Sequence, residues 1–292
     1  MTALANPVRK SETASKRRRE RVRPLQIIVF ILLCLCSVLL IFPLLWMLST
    51  SLKAPYEVMS LDLKLLPKVI QWNNYVELFQ QYPVFHFMWN TIYVTALNII
   101  GKLVSCTLVA YGFAKYRARG KNVLFVILLS TMMVPWAVTM VPLFILFKEI
   151  GWYNTFLPLW VPSFFGDAFS IFLLRQFMMG IPKELEEAAR IDGAGLPRVL
   201  WNVVVPNLKP ALVVVSIFSF FNTWNDFLGP LIFLSDPEKA TLQLGIQFLR
   251  TQYNVQWHYM MAFSVVSLVP CLIVFFFGQR QIVDGITLTG IK

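Results

Sequence analysis

Long apolar runs alternate with short polar connections along this chain. Apolar windows near residues 25–48, 89–113, 122–147, 155–178, 207–227 and 259–279 predict six helices, each close to or above the roughly 20 residues that crossing a bilayer requires. The first and third windows are the clearest: 29 uncharged residues separate Arg23 from Lys53, and 26 separate Lys121 from Lys148. The fifth is the weakest signal, with an uncharged core from Pro210 to Asn225 that completes a span only if Lys209 and Asp226 mark its ends. None of the runs shows the two-residue alternation of a barrel strand, so a β-barrel is excluded. Pro43, Pro135, Pro142, Pro158, Pro162 and Pro270 lie in or beside spans and predict kinks that free backbone carbonyls. Kinks suit a moving pore, and proline is also common in inert membrane helices.

Composition excludes a soluble enzyme. The chain has 292 residues, 57% of them hydrophobic and 14% charged, where a soluble domain carries about 25% charge. A net charge of +11 raises nucleic acid as a partner, but the placement of the charge argues against it. Eight basic residues fall between Arg9 and Arg23, just before the first apolar run. This tail, residues 1–24, reads as a cytoplasmic anchor near anionic lipid, followed by one membrane domain over 25–292. The following run is longer than the roughly 7–15 apolar residues of a secretory signal, so it is expected to be retained. Eighteen basic residues fall on the side shared by both termini and six on the other, which predicts that both termini are cytoplasmic. Cys34, Cys36, Cys106 and Cys271 all lie in apolar runs and give neither a disulfide framework nor a metal site.

Several chemistries are missing. Gly120-Lys121 is followed by Asn122, with Lys115 where a phosphate-binding loop needs its first glycine. There is no H-E-x-x-H and no G-x-S-x-G. His86 and His258 stand singly beside spans, as solvated or hydrogen-bonded histidines do. A proton-coupled carrier would be expected to place acids along its pathway, but only Asp167 is expected in mid-span, with Asp226 at an outer end. If the chain transports, its energy is expected from a partner.

Between the fourth and fifth windows lies Ile181-Pro182-Lys183-Glu184-Leu185-Glu186-Glu187-Ala188-Ala189-Arg190-Ile191-Asp192-Gly193-Ala194. Proline at the start, three glutamates in the first turns and a Glu186 to Arg190 pair predict a short helix over about 183–194. Its small residues would let another backbone approach, and Gly193 can end it in a left-handed conformation. On composition alone, a solvated connecting helix is the favoured reading.

The spacing decides the reading. Glu187-Ala188-Ala189, then three residues, Gly193, then nine residues and Val203-x-Val205-Pro206 resembles the E-A-A-x3-G-x9-I-x-L-P signature of permease subunits of binding-protein-dependent ABC importers. Two valines replace the isoleucine and leucine. Asn74-Tyr75-x-x-Leu78-Phe79, Asn90-Thr91, Trp224-Asn225-Asp226-Phe227, Ser235-Asp236-Pro237-Glu238-Lys239, Thr241-Leu242, Gln279-Arg280, Gly285-Ile286-Thr287 and Gly290-Ile291-Lys292 are similar to stretches of the maltose-type sugar permeases.

The resemblance implies an all-α integral membrane protein of the type I importer permease fold, with six transmembrane helices and a cytoplasmic coupling helix. It implies a second permease subunit, a dimer of ATPase subunits that bind ATP and magnesium, and an extracytoplasmic binding protein that delivers a sugar or oligosaccharide. No cofactor is expected on this chain. Glu187, Ala188, Ala189, Asp192 and Gly193 are expected to couple the ATPase to the pore. A self-sufficient secondary carrier and a membrane enzyme acting on a lipid-linked sugar remain the alternatives.

Two further groups are candidates for the substrate path. Ser216, Ser219, Thr223 and Asp226 share one face of the fifth helix, which points them at a pore or partner unless they bond their own backbone. Lys102 and Asp167 are expected level with one another near mid-membrane. They form an ion pair, or contact water and substrate separately, or one of them sits nearer an interface than the windows suggest. Lys102 also leans toward an anionic ligand.

Overall fold

The computed structural model describes residues 24–60, 64–250 and 255–287. The basic stretch Arg9–Arg23 and the ending Gly290-Ile291-Lys292 lie outside the described residues. The described residues up to Trp46 form one compact unit and those from Met47 onward another. Helices dominate both, and among the described residues the only β-type pairing is a bridge between Arg250 and Val255.

Helix α1 runs from Pro24 to Ser51 and is apolar on every side. A helix without a polar face has no orientation that suits water, so lipid is its solvent. Among the described residues, four helical stretches are long and apolar enough to cross a membrane: Leu25–Ser51, Val84–Lys115, Leu157–Met179 and Trp257–Gln279. Two bent pairs raise the total to six if each pair is one span.

In the second unit, α2 (Asn73–Gln81) precedes the central helix α3 (Val84–Lys115). At 32 residues, α3 is about 48 Å long and exceeds the hydrocarbon core of a bilayer. Two apolar clusters form along it. Toward Val84, Phe87 packs with Leu78, Trp224, Leu242 and Phe263. Toward Lys115, Cys106 and Ala110 pack with Ile171, Leu174, Met178, Leu208 and Val215.

Three expected spans are interrupted. Helices α4 (Lys121–Ser130) and α5 (Trp136–Glu149) belong to arms that meet at 96°, so the window 122–147 is not one straight helix. Pro135 supplies the reason: a residue before proline is pushed out of the helical region, and Val134 is extended at φ −82°, ψ 113°. The fourth span passes through a tight 3₁₀ stretch, Val161–Phe165, and a left-handed Gly166 (φ +84°) before α6 (Ala168–Met179) begins. Asp167 is therefore not mid-helix as expected. It caps α6, its Oδ1 accepting the Ser170 N–H at 3.0 Å. After α7 (Lys183–Ile191), the arm Leu196–Asn207 bends by 77° into α8 (Lys209–Trp224), and α9 (Trp257–Thr287) closes the fold.

Polar side chains at the Val84 end of α3 hold loops to helices. Asn90 Nδ2 donates to the carbonyls of Glu238 and Ala240 at 2.9 and 3.0 Å, and Thr91 Oγ1 accepts the Leu242 N–H at 2.8 Å. Asn74 Nδ2 donates to the Ser51 and Lys53 carbonyls, both at 2.9 Å. Trp224 Nε1 donates to Ser267 O at 3.0 Å. Asn90-Thr91 and Thr241-Leu242, well separated in sequence, thus meet in one hydrogen-bonded clasp.

Candidate functional site: a coupling helix and a cavity

The sequence of α7 explains its placement. Glu186 is the one buried residue of the helix, at 6% exposure, and it turns inward. Its Oε1 lies 2.7 Å from Lys115 Nζ, and both side chains are less than a tenth exposed. The contact is ionic rather than a well-aligned hydrogen bond. Lys115 Nζ also donates to Ile181 O at 3.1 Å. The expected Glu186 to Arg190 pair is thereby replaced: a buried carboxylate needs a buried cation, and the end of α3 supplies one.

The remainder of α7 faces outward. Glu187, Ala188 and Asp192 are exposed and Ala189 is half-buried. Leu185 is 45% exposed and Ile191 87%. With Ala188 between them, these residues make an apolar strip that the described chain leaves open. The helix ends as a glycine at this position permits. Gly193 has φ +81°, its N–H donates to Arg190 O at 3.0 Å, and the Ala194 N–H donates to Ala189 O at 2.9 Å. No atom lies within 4 Å of where a Cβ on Gly193 would sit.

Further along α3, Lys102 Nζ lies 3.4 Å from Asp167 Oδ2. Their meeting depends on a close approach. A Cβ on Gly101 would collide with Ser163 and Phe164, and Ser105 Oγ donates to Ser163 O at 2.9 Å. Gly101 and Ser105, four apart, thus make a small-residue ridge that admits the interrupted fourth span. The Asp167 N–H points to Cys106 Sγ at 3.4 Å, which fixes the carboxylate's backbone.

Lys102 also lines an open cavity of about 670 Å³, with Asn98, Trp136, Asn222, Thr223, Asn225 and Asp226 among its other walls. The proposed stripe on α8 divides here. Thr223 and Asp226 face the cavity, whereas Ser216 Oγ donates to Leu212 O of its own helix at 2.8 Å and Ser219 is 2% exposed. A serine that satisfies itself on its own backbone needs no aqueous surface.

Comparison with known proteins identifies the family. Residues 104–287 match the model of the binding-protein-dependent transport system inner membrane component. The chain belongs to that family of permeases. It is 32% identical over 259 residues to the arabinooligosaccharides transport system permease protein AraQ of Bacillus subtilis, covering 88% of this chain and 92% of that one. It is 30% identical over 256 residues to its namesake in Halalkalibacterium halodurans, covering 86% and 91%. A solved bacterial ABC transporter involved in import of the acidic polysaccharide alginate superposes with a TM-score of 0.80 at 26% identity, over 88% of this chain and 95% of that one.

This permease is a multi-pass membrane protein and a transport component, not an enzyme. Of the residues lining the cavity, sequence reading named Lys102, Thr223 and Asp226 as path candidates and missed the others, Asn98, Trp136 and Asn222 among them. Asn98 was within reach, since it precedes Lys102 by four residues and so shares its helical face. Trp136 and Asn222 were not, because the break after Val134 and the packing of α8 set their positions.

Proposed function

We propose that this permease forms half of the pathway of an ATP-driven importer for a sugar or oligosaccharide, with α7 as the docking element for an ATPase subunit. The observation that carries the reading is the state of α7. It is anchored from beneath by a buried ion pair to the end of α3, while its outer face carries Leu185, Ala188 and Ile191 uncovered. A short helix exposing apolar residues beside a polar loop is unfavourable in water and favourable against a partner. Glu187, Ala188, Ala189, Asp192 and Gly193 form the contact, and ATP and magnesium belong to the ATPase. A second, homologous permease supplies the other half of the pathway, and a binding protein outside the membrane delivers the substrate.

In this arrangement the Lys115 end of α3 and α7 face the cytoplasm, as do both termini, in a bacterial inner membrane. The cavity walled by Lys102, Thr223 and Asp226, with Asp167 paired behind Lys102, lies on the substrate path. Carbohydrate as the substrate class is supported by the relatives, whose names include arabinooligosaccharides and alginate.

Purification of the assembled complex tests the proposal. The expected result is co-elution with an ATPase whose turnover rises with a sugar-loaded binding protein, and loss of both co-elution and sugar uptake in Glu187→Lys. Sugar uptake into vesicles containing this chain alone would overturn it in favour of a secondary carrier.

A further inference from the structure

We propose that this chain's half of the pathway favours uncharged saccharides over acidic ones, and that Asp167 sets this preference by neutralising Lys102. The inference rests on the reading that the 670 Å³ cavity lies on the import path.

The charges in the cavity can be counted from its walls. Among the described residues, Lys102 is the one cation lining it and Asp226 the one acid. A lysine in such a cavity, taken alone, would attract carboxylates, but Lys102 is already matched by Asp167 at 3.4 Å. Asp167 is not a mobile counterion. Its Oδ1 caps α6 at Ser170, its N–H faces Cys106 Sγ, and the left-handed Gly166 precedes it. The pair is neutral as a unit, so Asp226 sets the remaining charge: zero when protonated and minus one when ionised. In neither state does the cavity carry a net positive charge.

A uronate entering here would have to share Lys102 with Asp167, whose carboxylate already occupies that cation and repels a second anion. It would also lie in the same cavity as Asp226. Both effects oppose it in a site of reduced dielectric. An uncharged saccharide meets neither. Asn222, Thr223 and Asn225 offer donors and acceptors to hydroxyl groups, and the Trp136 and Phe221 rings offer apolar faces to sugar C–H groups. The volume lies within the range of about 300–1,000 Å³ usual for small-ligand sites. The expectation that Lys102 signals an anionic ligand is reversed by its partner, which lies 65 positions away in sequence.

Charged thiol reagents measure the cavity's potential without reference to any sugar. In the assembled importer, with Cys34, Cys36 and Cys271 replaced by serine and the fully buried Cys106 kept because it receives the Asp167 N–H, Asn222→Cys is labelled at low salt with cationic and anionic methanethiosulfonates. Rates are normalised to a free thiol in solution. The cationic reagent should react several-fold faster, and Asp167→Asn should shift the rate ratio about tenfold toward the anionic one, the scale on which local fields alter encounter rates. Lys102→Gln should shift it the other way, and it serves as the test if Asp167→Asn fails to assemble. A parent ratio favouring the anionic reagent, or a ratio unmoved by either variant, overturns the inference.

Uptake then separates this inference from the proposed function. Arabinotriose and trigalacturonate are offered at equal concentration to the importer with its binding protein. Preference for the uncharged trisaccharide supports the inference, and equal or faster uptake of the acidic one overturns it. The expected reagent ratios in a complex that imports no saccharide would overturn the pathway reading instead.

Discussion

Helix α3 carries two ion pairs, Lys102 with Asp167 and Lys115 with Glu186, and they do different work. They stand 13 residues apart, about 20 Å along the axis. The pair at Lys115 is tight and sealed, at 2.7 Å with side chains 8% and 7% exposed. The pair at Lys102 is looser and open to a cavity, at 3.4 Å with side chains 17% and 33% exposed. Burial makes the first pair sensitive to the loss of one partner, because the remaining charge is stranded without water. Partial exposure makes the second pair electrostatically adjustable at modest structural cost. One brace fixes α7 to the membrane helices, and the other balances charge beside the cavity.

The largest effect should follow from breaking the sealed pair. Lys115→Met strands Glu186 and should destabilise the loop carrying α7 by about 3–5 kcal/mol, with loss of ATPase co-elution. Adding Glu186→Leu should restore most of the thermal stability measured on the purified importer. If the double variant melts no higher than the single one, the brace is not what holds α7. Next in size is Gly193→Leu. It places a branched side chain at φ +81°, a strain of about 1–2 kcal/mol, and also fills the space left open beside α7. Uptake should be abolished with the protein still in the membrane. Gly193→Asn tolerates the left-handed backbone and should retain more activity, so equal losses would show that bulk and not backbone is limiting.

Opening the looser pair should cost less. Lys102→Met should lower stability by about 1 kcal/mol or less, given the exposure of both partners, and adding Asp167→Asn, which removes the charge but keeps the cap on Ser170, should recover it. A loss as large as that of Lys115→Met would erase the distinction drawn between the two pairs. The smallest effect is expected on α8. Ser216→Ala, which removes a bond to its own helix, should change stability by no more than about 0.5 kcal/mol and leave uptake intact. In the background that keeps only the buried Cys106, a cysteine at position 223 should react with water-soluble thiol reagents, whereas cysteines at 216 and 219 should not. Uniform reactivity would restore the continuous pore-lining stripe that the spacing alone suggests.

These contrasts show how far a sequence reaches. The apolar runs and the E-A-A spacing were legible because hydrophobic length and helical periodicity are local properties, and lipid enforces them residue by residue. The family followed from the same string of residues. The positions of Asn90 and Thr91 could be read as part of a familiar stretch, but not that they clasp Glu238, Ala240 and Leu242.

Three-dimensional packing decided the rest, where the outcome depended on residues distant in sequence. Pro135 is a local signal for a break, yet its 96° bend was not readable as an angle. Asp167 looked like a charge within a helix because apolar windows do not register a helix that stops and restarts. Gly101 and Ser105 let the interrupted span approach closely enough for Lys102 to meet it. Glu186 fitted a surface pair with Arg190 by helical spacing and was instead taken up by Lys115, since burial makes a charge bind whichever opposite charge is buried with it. The sequence by itself determined a helical membrane permease with an E-A-A helix between its fourth and fifth spans. Which charges neutralise one another, and which are left to face the cavity, was settled only by the tertiary structure, because electrostatic partnership depends on distance in space and on exclusion of water, and neither is a property of the chain read along its length.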